Sequence, residues 1–336
     1  MPLDEDPSRA EFHQWSDKKA AGSSGSNASR PKFSDVDFTA KGEPRGQVSF
    51  TGLKTLWFNT GTLCNIACQG CYIESSPRND RLAYISRDEV RSFLDEAERL
   101  AGPELEIGFT GGEPFMNPNL LGMLEDSLRR GFRVLVLTNA MLPMQHRKAE
   151  LIDLDWHFPA KLSIRVSLDH YDQAGHEKVR GPKTWHPALE GLRWLSREGF
   201  DLSVAGRLMG DESENDLRAG YASLFAREGV MVSAWDPNRL ILFPEMADND
   251  DVPEISQSCW EILGKSPADI MCATSRMVVK RKEAMRPVVV SCTLLPYDSL
   301  FEMGTTLDQS LGTVKLNHPH CSRFCVLGGA SCSHKS

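Results

Sequence analysis

The sequence predicts an α/β fold in which a parallel sheet is covered by helices and curls into a barrel or partial barrel. Three observations predict it: short apolar runs alternate with amphipathic segments, the alternation repeats six times between residues 54 and 243, and the connections are short. Apolar strands separated by helices are typical of parallel sheets that are buried on both faces. Short right-handed crossovers favour closure towards a barrel, and such folds carry their functional residues at the carboxyl ends of the strands.

The first strand–helix unit has the clearest local signals. Residues 54–60 (KTLWFNT) predict a short apolar strand. The segment SRDEVRSFLDEAERLAG opens with Ser86 and Glu89, which match a capping box, and Gly102 fits the end of the helix. One face of this helix collects apolar side chains, namely Val90, Phe93, Leu94, Ala97 and Leu100.

Five further units follow in the same order. The predicted strands cover residues 105–109, 133–138, 162–169, 201–209 and 239–243. The predicted helices cover residues 119–131, a segment near 144–152, residues 186–199 and residues 214–228. Beyond them, the runs RMVV and PVVVS flank the charged turn KRKEAMR and predict a β-hairpin.

Composition limits the class of protein. The chain has 336 residues, 40% hydrophobic content and a formal net charge of -8, so it can bury a large core but lacks the basic surface of a nucleic-acid binder. No apolar run approaches the roughly 20 residues of a membrane span, and we expect a cytoplasmic protein that binds neither membrane nor nucleic acid. We expect a disordered polar tail over residues 1–45, a barrel over 46–250 and a separate cysteine-rich region over 251–336.

Three cysteines directly follow the first predicted strand: Cys64, Cys68 and Cys71. A disulfide scaffold is disfavoured because the chain has nine cysteines, an odd number, and we expect a reducing compartment. Structural zinc usually takes two separated pairs of ligands, and no second C-x2-C or H-x3-H pair lies near this triplet in the sequence. Three thiolates would leave one iron of a 4Fe-4S cluster open for a ligand that is not protein.

The spacing Cys64-x3-Cys68-x2-Cys71, followed by Tyr72, resembles the signature of the radical S-adenosylmethionine (SAM) superfamily. The resemblance implies a partial (β/α)6 TIM-like barrel over about residues 50–245 and a 4Fe-4S cluster on the three thiolates. It further implies that SAM chelates the open iron and is reductively cleaved to methionine and a 5'-deoxyadenosyl radical, which abstracts hydrogen from a substrate. The difficult chemistry then belongs to the cofactor.

Further motifs are similar to SAM-binding segments of the family. The stretch TGGEPF combines glycines that allow close backbone approach with Glu113, and it resembles the GGE motif that binds the methionine amine of SAM. Ser167 and Asp169 resemble an S-x-D stretch beside the ribose, and the "H…RG" pattern that follows occurs in members that modify peptides. The predicted SAM-binding residues are Tyr72, Thr110, Gly111, Gly112, Glu113, Asn139, Ser167, Asp169, Arg207 and Leu242.

Some of these assignments leave alternatives open. Arg207 either pairs with the methionine carboxylate or forms an ordinary salt bridge within the barrel. Ile241 and Leu242, on the sixth strand, would form a platform for the adenine. Gly70 stands where many members have an aromatic or large residue, so Tyr72 or another side chain must cover the adenine.

Six more cysteines follow the barrel, and two of them frame the predicted hairpin. This layout resembles the SPASM or shorter twitch extension of the family, which implies one auxiliary 4Fe-4S cluster. The predicted ligands are Cys272, Cys292, Cys321 and Cys325, with Cys332 as an alternative to Cys325. We expect Cys259 to be a packed helical thiol, while His318 and His320 keep a zinc site open as an alternative.

The leading functional prediction is a radical SAM maturase or oxidoreductase that acts on a peptide or small molecule. The resemblance implies an electron donor of the flavodoxin or ferredoxin type. One alternative is a cofactor-biosynthesis enzyme of the molybdopterin or haem type, and another is a non-catalytic iron-sulfur or metal-binding protein. Glu113 favours an enzyme, because storage of a cluster requires no ligand for an ammonium group. The sequence selects no general acid or base.

Overall fold

A computed structural model describes residues 30–102, 104–210, 212–244 and 251–328. The strands are β1 Gln47–Val48, β2 Thr55–Asn59, β3 Glu106–Thr110, β4 Arg133–Thr138, β5 Leu162–Ser167, β6 Asp201–Leu208, β7 Leu240–Pro244, β8 Ser275–Val279, β9 Val288–Val290, β10 Glu302–Gly304 and β11 Val314–Lys315. The helices are α1 Arg87–Leu100, α2 Leu120–Arg129, α3 Leu142–Gln145, α4 Lys148–His157, α5 Gln173–Arg180, α6 Trp185–Glu198, α7 Glu214–Glu228 and α8 Cys259–Leu263.

The central sheet has the strand order β10-β9-β8-β2-β3-β4-β5-β6-β7. Strands β2 to β7 are parallel neighbours in chain order, which confirms the predicted partial barrel of six strand–helix units. All five residues of β2 and of β3 are buried, as expected of strands that are covered on both faces. Among the described residues, no helix is both long and apolar enough to cross a membrane.

Local sequence signals place the helices well, with two differences. The capping box at α1 is present: the Ser86 side chain accepts from the Glu89 amide, and the Glu89 carboxylate accepts from the Ser86 amide at 2.8 Å. The helix predicted near residues 144–152 is two helices, because the chain turns at His146 and Arg147 between α3 and α4. Helix α5 was not predicted, since its eight residues are largely polar and follow a turn-rich stretch.

Part of the predicted polar tail packs against the rest of the molecule. Phe33 is 7% exposed, and Arg45 forms an ion pair of 2.8 Å with Glu254, with both side chains buried. These contacts join positions that are far apart in sequence, which a compositional argument does not detect. The expectation of disorder is therefore wrong for residues 30–45, while residues 1–29 lie outside the described residues.

The predicted hairpin consists of β8 and β9, which pair antiparallel with Met277 opposite Val290. Strand β8 also pairs in parallel with β2, with Thr55 opposite Ser275. The hairpin thus extends the barrel sheet. Residues on both sides of the boundary predicted at residue 250 therefore contribute strands to the same sheet. All five β8 residues are buried, as expected of an inner strand of a sheet that is covered on both faces.

Candidate active site

The cysteine triplet lies beyond the carboxyl end of β2. Cys64 is buried, and Cys68 and Cys71 are half-buried. The pKa of Cys64 is raised to about 12, mainly by burial and to a smaller extent by Glu113 and the neighbouring Cys68. Burial also raises the pKa of Cys68, where Arg180 opposes the shift and Cys71 adds to it. The three thiols are thus close enough to interact, and binding of a metal by them must release protons.

The GGE motif is bonded to the backbone that leads into the triplet. The Gly112 amide donates to the Gly61 carbonyl at 2.8 Å, and the Glu113 amide donates to the Leu63 carbonyl at 3.1 Å. A Cβ atom on Gly112 would lie only 2.2 Å from the Leu63 carbonyl oxygen, and Gly111 has a φ of 142°. Only glycine permits this approach, which fixes the position of Glu113 relative to Cys64.

Glu113 is a buried carboxylate held by three donors. One oxygen accepts from the Thr138 hydroxyl at 2.9 Å and the Phe115 amide at 3.2 Å, and the other accepts from the Asn139 amide at 2.8 Å. Burial raises the pKa of Glu113 to about 7, although these hydrogen bonds lower it. It has no ion-pair partner among the described Lys, Arg and His residues. A positioned carboxylate of this kind suits an ammonium ligand.

Asn139 links the end of β4 to the triplet. Its side-chain amide donates to the Asn65 side-chain oxygen at 2.8 Å and lies 4.0 Å from the Cys64 sulfur. Its own oxygen accepts from the Met141 amide at 3.0 Å. The structure therefore brings Asn139 to the predicted site. The sequence prediction did not include Asn65, although its position next to Cys64 is a visible signal.

Asp169 bridges two arginines. One carboxylate oxygen accepts from Arg207 Nε at 3.0 Å, and the other accepts from Arg180 Nε. Burial would raise the pKa of Asp169, but the two guanidinium groups outweigh burial and lower it. The structure contains the salt bridge expected as one alternative for Arg207, while its pairing with the methionine carboxylate of SAM stays a prediction. An Arg207 Nη1 atom also lies 3.5 Å from the carbonyl oxygens of Gln69 and Gly70, between the second and third cysteines.

Helix α5 carries two buried polar groups that the sequence prediction missed. Arg180 is largely buried, and its charge acts on Cys64, Cys68 and Glu113. His176 is fully buried, packs edge-on against Trp185, and its ring nitrogens have no hydrogen-bond partner among the described residues. Burial lowers the pKa of His176 to about 4. Their i, i+4 spacing was the available signal, since it places both on one helical face.

The structure gives positions for three further predicted SAM-binding residues. Ser167 ends β5, and Leu242 lies in β7 opposite Gly206. Tyr72 is half-buried and directly follows Cys71. Their proposed roles stay predictions. Thr110 ends β3, where its carbonyl accepts from the Thr60 amide at 2.8 Å and so joins the ends of the first two barrel strands.

The later cysteines gather in a second apolar cluster. Cys272 and Cys321 belong to it, and Cys259, Cys292 and Cys325 pack against it. Burial raises the pKa of Cys321, with further contributions from Cys292 and Cys272. Cys332 lies outside the described residues. Cys259 begins α8 and packs against this cluster, in agreement with the expectation of a packed helical thiol.

The two cysteine groups lie at opposite ends of paired strands. Cys272 precedes β8 and Cys292 follows β9, so both lie near the amino end of β2, whereas the triplet lies beyond its carboxyl end. Within the described part of the chain, no three His, Cys, Asp or Glu side chains converge closely enough to bind a single metal ion. A 4Fe-4S cluster takes one thiolate at each iron and so needs a wider set of thiols.

Comparison with known proteins identifies the family. A sequence model described as the Radical SAM superfamily matches residues 58–220. The chain is 33% identical over 246 residues to 7-carboxy-7-deazaguanine synthase of Methanopyrus kandleri, which covers 68% of this chain and 82% of the synthase. The chain belongs to the radical SAM superfamily. Members of this superfamily are enzymes, and the family implies a 4Fe-4S cluster and SAM.

Two further proteins resemble parts of the chain. The "antilisterial bacteriocin subtilosin biosynthesis protein AlbA" of Bacillus subtilis is 30% identical over 143 residues, which cover 42% of this chain and 30% of AlbA. The crystal structure of Streptococcus suis SuiB bound to S-adenosylmethionine has a TM-score of 0.55 at 12% identity and covers 75% of this chain and 63% of SuiB. The chain therefore spans less than two thirds of the length of AlbA and of SuiB.

The residues of the radical SAM core fit the groups that the family implies. Three interacting thiols match the donor set of a 4Fe-4S cluster with one open iron. The Glu113 carboxylate is opposite in charge to the amine of SAM, and the close backbone approach at Gly111 and Gly112 holds it beside the cysteine loop. The predicted triplet and GGE motif are thus neighbours in space, as their positions after adjacent strands require.

Proposed function

We propose that the chain is a radical SAM enzyme that reductively cleaves SAM and abstracts hydrogen from a peptide or small-molecule substrate. The cluster and SAM together supply the radical. The protein binds the cluster through Cys64, Cys68 and Cys71, orients the SAM amine with Glu113, and excludes water from this end of the barrel. A flavodoxin or ferredoxin-type protein would supply the electron.

The geometry of Glu113 carries this proposal. A carboxylate that is 1% exposed, accepts three hydrogen bonds and has no ion-pair partner among the described residues is costly unless a cation occupies the site. The bonds from Gly112 and Glu113 to residues 61 and 63 hold that carboxylate beside the cysteine loop. A protein that only stores a cluster has no need of this carboxylate.

The substrate class is proposed from the relatives. AlbA is named for the biosynthesis of a bacteriocin, and this favours maturation of a peptide. The deazaguanine synthase covers more of the chain and favours a cofactor-like or nucleobase-like small molecule as the second candidate. Incubation with each class of substrate, followed by a search for deuterium from the substrate in 5'-deoxyadenosine, distinguishes them.

We further propose an auxiliary 4Fe-4S cluster in the second apolar cluster. Cys272 and Cys292 both contribute to the raised pKa of Cys321, and these three cysteines would supply three ligands. Cys325 is the first choice for the fourth ligand, and Cys332 is the alternative. Cys259 is a further candidate because it packs against the same apolar cluster. Zinc would take the same donors, so the metal must be measured.

The test is metal analysis combined with SAM cleavage. After anaerobic reconstitution we expect about eight irons and eight sulfides per chain, as two cubane clusters require. With dithionite and SAM we expect 5'-deoxyadenosine. About four irons would remove the auxiliary cluster from the proposal, and intact clusters without SAM cleavage would overturn the enzymatic function.

A further inference from the structure

Arg276 is a buried cation without a carboxylate partner. It lies in β8 opposite Leu56 of β2 and is 1% exposed. None of the ion pairs formed by the described residues includes it. Placing a charge in a protein interior is costly unless an opposite charge accompanies it. Some group other than a carboxylate must therefore balance the buried charge of Arg276.

Backbone carbonyls satisfy the hydrogen bonds of Arg276 but not its charge. Its Nε donates to Ser310 at 2.6 Å, its Nη1 to Cys272 and Ser275 at 2.7 Å each, and its Nη2 to Gly312 at 3.2 Å. The guanidinium also lies 4.6 Å from the centre of the Phe50 ring. All of these partners are neutral, so the positive charge persists in the interior. Burial lowers the pKa of Arg276 to about 10, which still leaves it charged at neutral pH.

The proposed metal ligand next to Arg276 is Cys272, whose carbonyl accepts from the Arg276 Nη1 atom at 2.7 Å. A neutral thiol at this position would carry no charge to balance the guanidinium. A metal centre with thiolate ligands would carry one, because four thiolates outweigh the charge of a divalent ion or an oxidised 4Fe-4S core.

A second buried arginine provides the comparison. Arg45 is also fully buried and donates to the Leu316 carbonyl at 3.3 Å, at the edge of the same apolar cluster. It differs from Arg276 in having its own carboxylate, Glu254, at 2.8 Å. Two buried arginines thus border the later cysteines. A carboxylate balances the charge of Arg45, whereas none of the described carboxylates balances the charge of Arg276.

We propose that Arg276 is the buried counter-charge of an anionic metal centre held by Cys272 and the neighbouring cysteines, and that it raises the reduction potential of this centre. This inference rests on the auxiliary cluster of the proposed function. Reduction adds one negative charge to the centre, and a fixed cation nearby stabilises the reduced form. Arg276 is a positioning residue in this sense, since it acts through the thiolates and touches no substrate.

The test is redox titration of the reconstituted full chain, followed by electron paramagnetic resonance. Addition of SAM identifies the signal of the first cluster, because SAM binds its open iron. For Arg276→Gln we expect the reduction equilibrium of the auxiliary cluster to become at least tenfold less favourable, about 59 mV for one electron. The first cluster should be unchanged. Arg276→Lys keeps the charge and should stay within threefold of wild type.

The double variant Arg45→Gln/Glu254→Gln is the matched control. It removes both members of a neutral ion pair and leaves the net charge near the centre unchanged, so the auxiliary potential should stay within threefold of wild type. Loss of auxiliary iron in Arg276→Gln but not in Arg276→Lys would also support the proposal. Loss of iron in both, or an unchanged potential in Arg276→Gln, would overturn it. If Arg276→Gln does not fold, the lysine variant alone decides, since the proposal requires it to retain the cluster and its potential.

The wild-type iron content separates the two proposals. About four irons per chain would contradict the auxiliary cluster itself. About eight irons with a potential that does not depend on the charge at position 276 would contradict only the role of Arg276.

Discussion

Glu113 combines a structural and a chemical role at the scale of a single residue. Its burial beside the cysteine loop raises its pKa to about 7, so the free protein holds a mixture of carboxylate and neutral acid near neutrality. Only the carboxylate pairs with an ammonium group. Binding of SAM should therefore be coupled to the loss of a proton from this site.

This coupling predicts the pH dependence of SAM binding. Below the raised pKa the neutral acid dominates, so the affinity for SAM should fall up to about tenfold per pH unit as pH drops from 7 to 5. Above pH 8 it should level off. Equilibrium dialysis of the reconstituted protein measures this. Glu113→Gln should bind SAM weakly and lose the pH dependence, and the surface variant Glu125→Gln should keep both. A pH-independent wild-type affinity would contradict the prediction.

His176 predicts a pH dependence of stability. Its folded-state pKa of about 4 lies below the ordinary value of 6.5, so the unfolded chain binds the proton first. The free energy of unfolding should fall as pH drops from 6.5 to 4, by on the order of 3 kcal/mol from this group. Urea titrations at several pH values measure this. His176→Phe should flatten the curve, whereas His157→Phe, at an exposed helix end, should leave the wild-type slope.

At the scale of elements, α5 and β6 hold the loop between Cys68 and Cys71. The Gln69 amide donates to the Val179 carbonyl of α5 at 2.8 Å, and Arg207 of β6 approaches the carbonyls of Gln69 and Gly70. Asp169 joins the two elements through its arginine pairs. The loop is thus held from two sides by the protein's own residues.

Asp169→Asn should therefore loosen the cluster loop. It leaves two largely buried guanidinium groups without their carboxylate, which should cost about 3 kcal/mol of unfolding free energy. Iron content should fall, and SAM cleavage per remaining cluster should stay measurable. Thermal denaturation and iron analysis check both. Asp201→Asn, which breaks a more exposed pair with Arg239, serves as control. Equal iron loss in the two variants would show that the Asp169 pairs have no special role.

Periodicity and capping predicted the elements because those signals are local. The six barrel strands, the Ser86 capping box and the hairpin each depend on neighbouring residues. The approach of Glu113 to Cys64 was also predictable, since adjacent parallel strands end together. Residues whose partners are remote in sequence were not predictable. Arg45 meets Glu254 and Arg276 meets Ser310 only in the folded chain.

At the scale of the whole molecule, the two cysteine groups should act separately. Cys292→Ala should remove about four irons, keep SAM cleavage and lose product, because the first site lies beyond the other end of β2. Cys64→Ala should abolish SAM cleavage. Iron analysis and chromatography of 5'-deoxyadenosine check both variants. Loss of SAM cleavage in Cys292→Ala, with the first cluster intact, would show that the two sites depend on each other.

The pairing of β8 with β2 places both cysteine groups on one pair of adjacent strands. Five strand residues span about 16 Å at roughly 3.3 Å per residue. A substrate held near Glu113 would therefore lie too far away to become a ligand of a centre at Cys272. We therefore expect only electrons to pass between the two sites. The paired strands β2 and β8 would provide the route through the core.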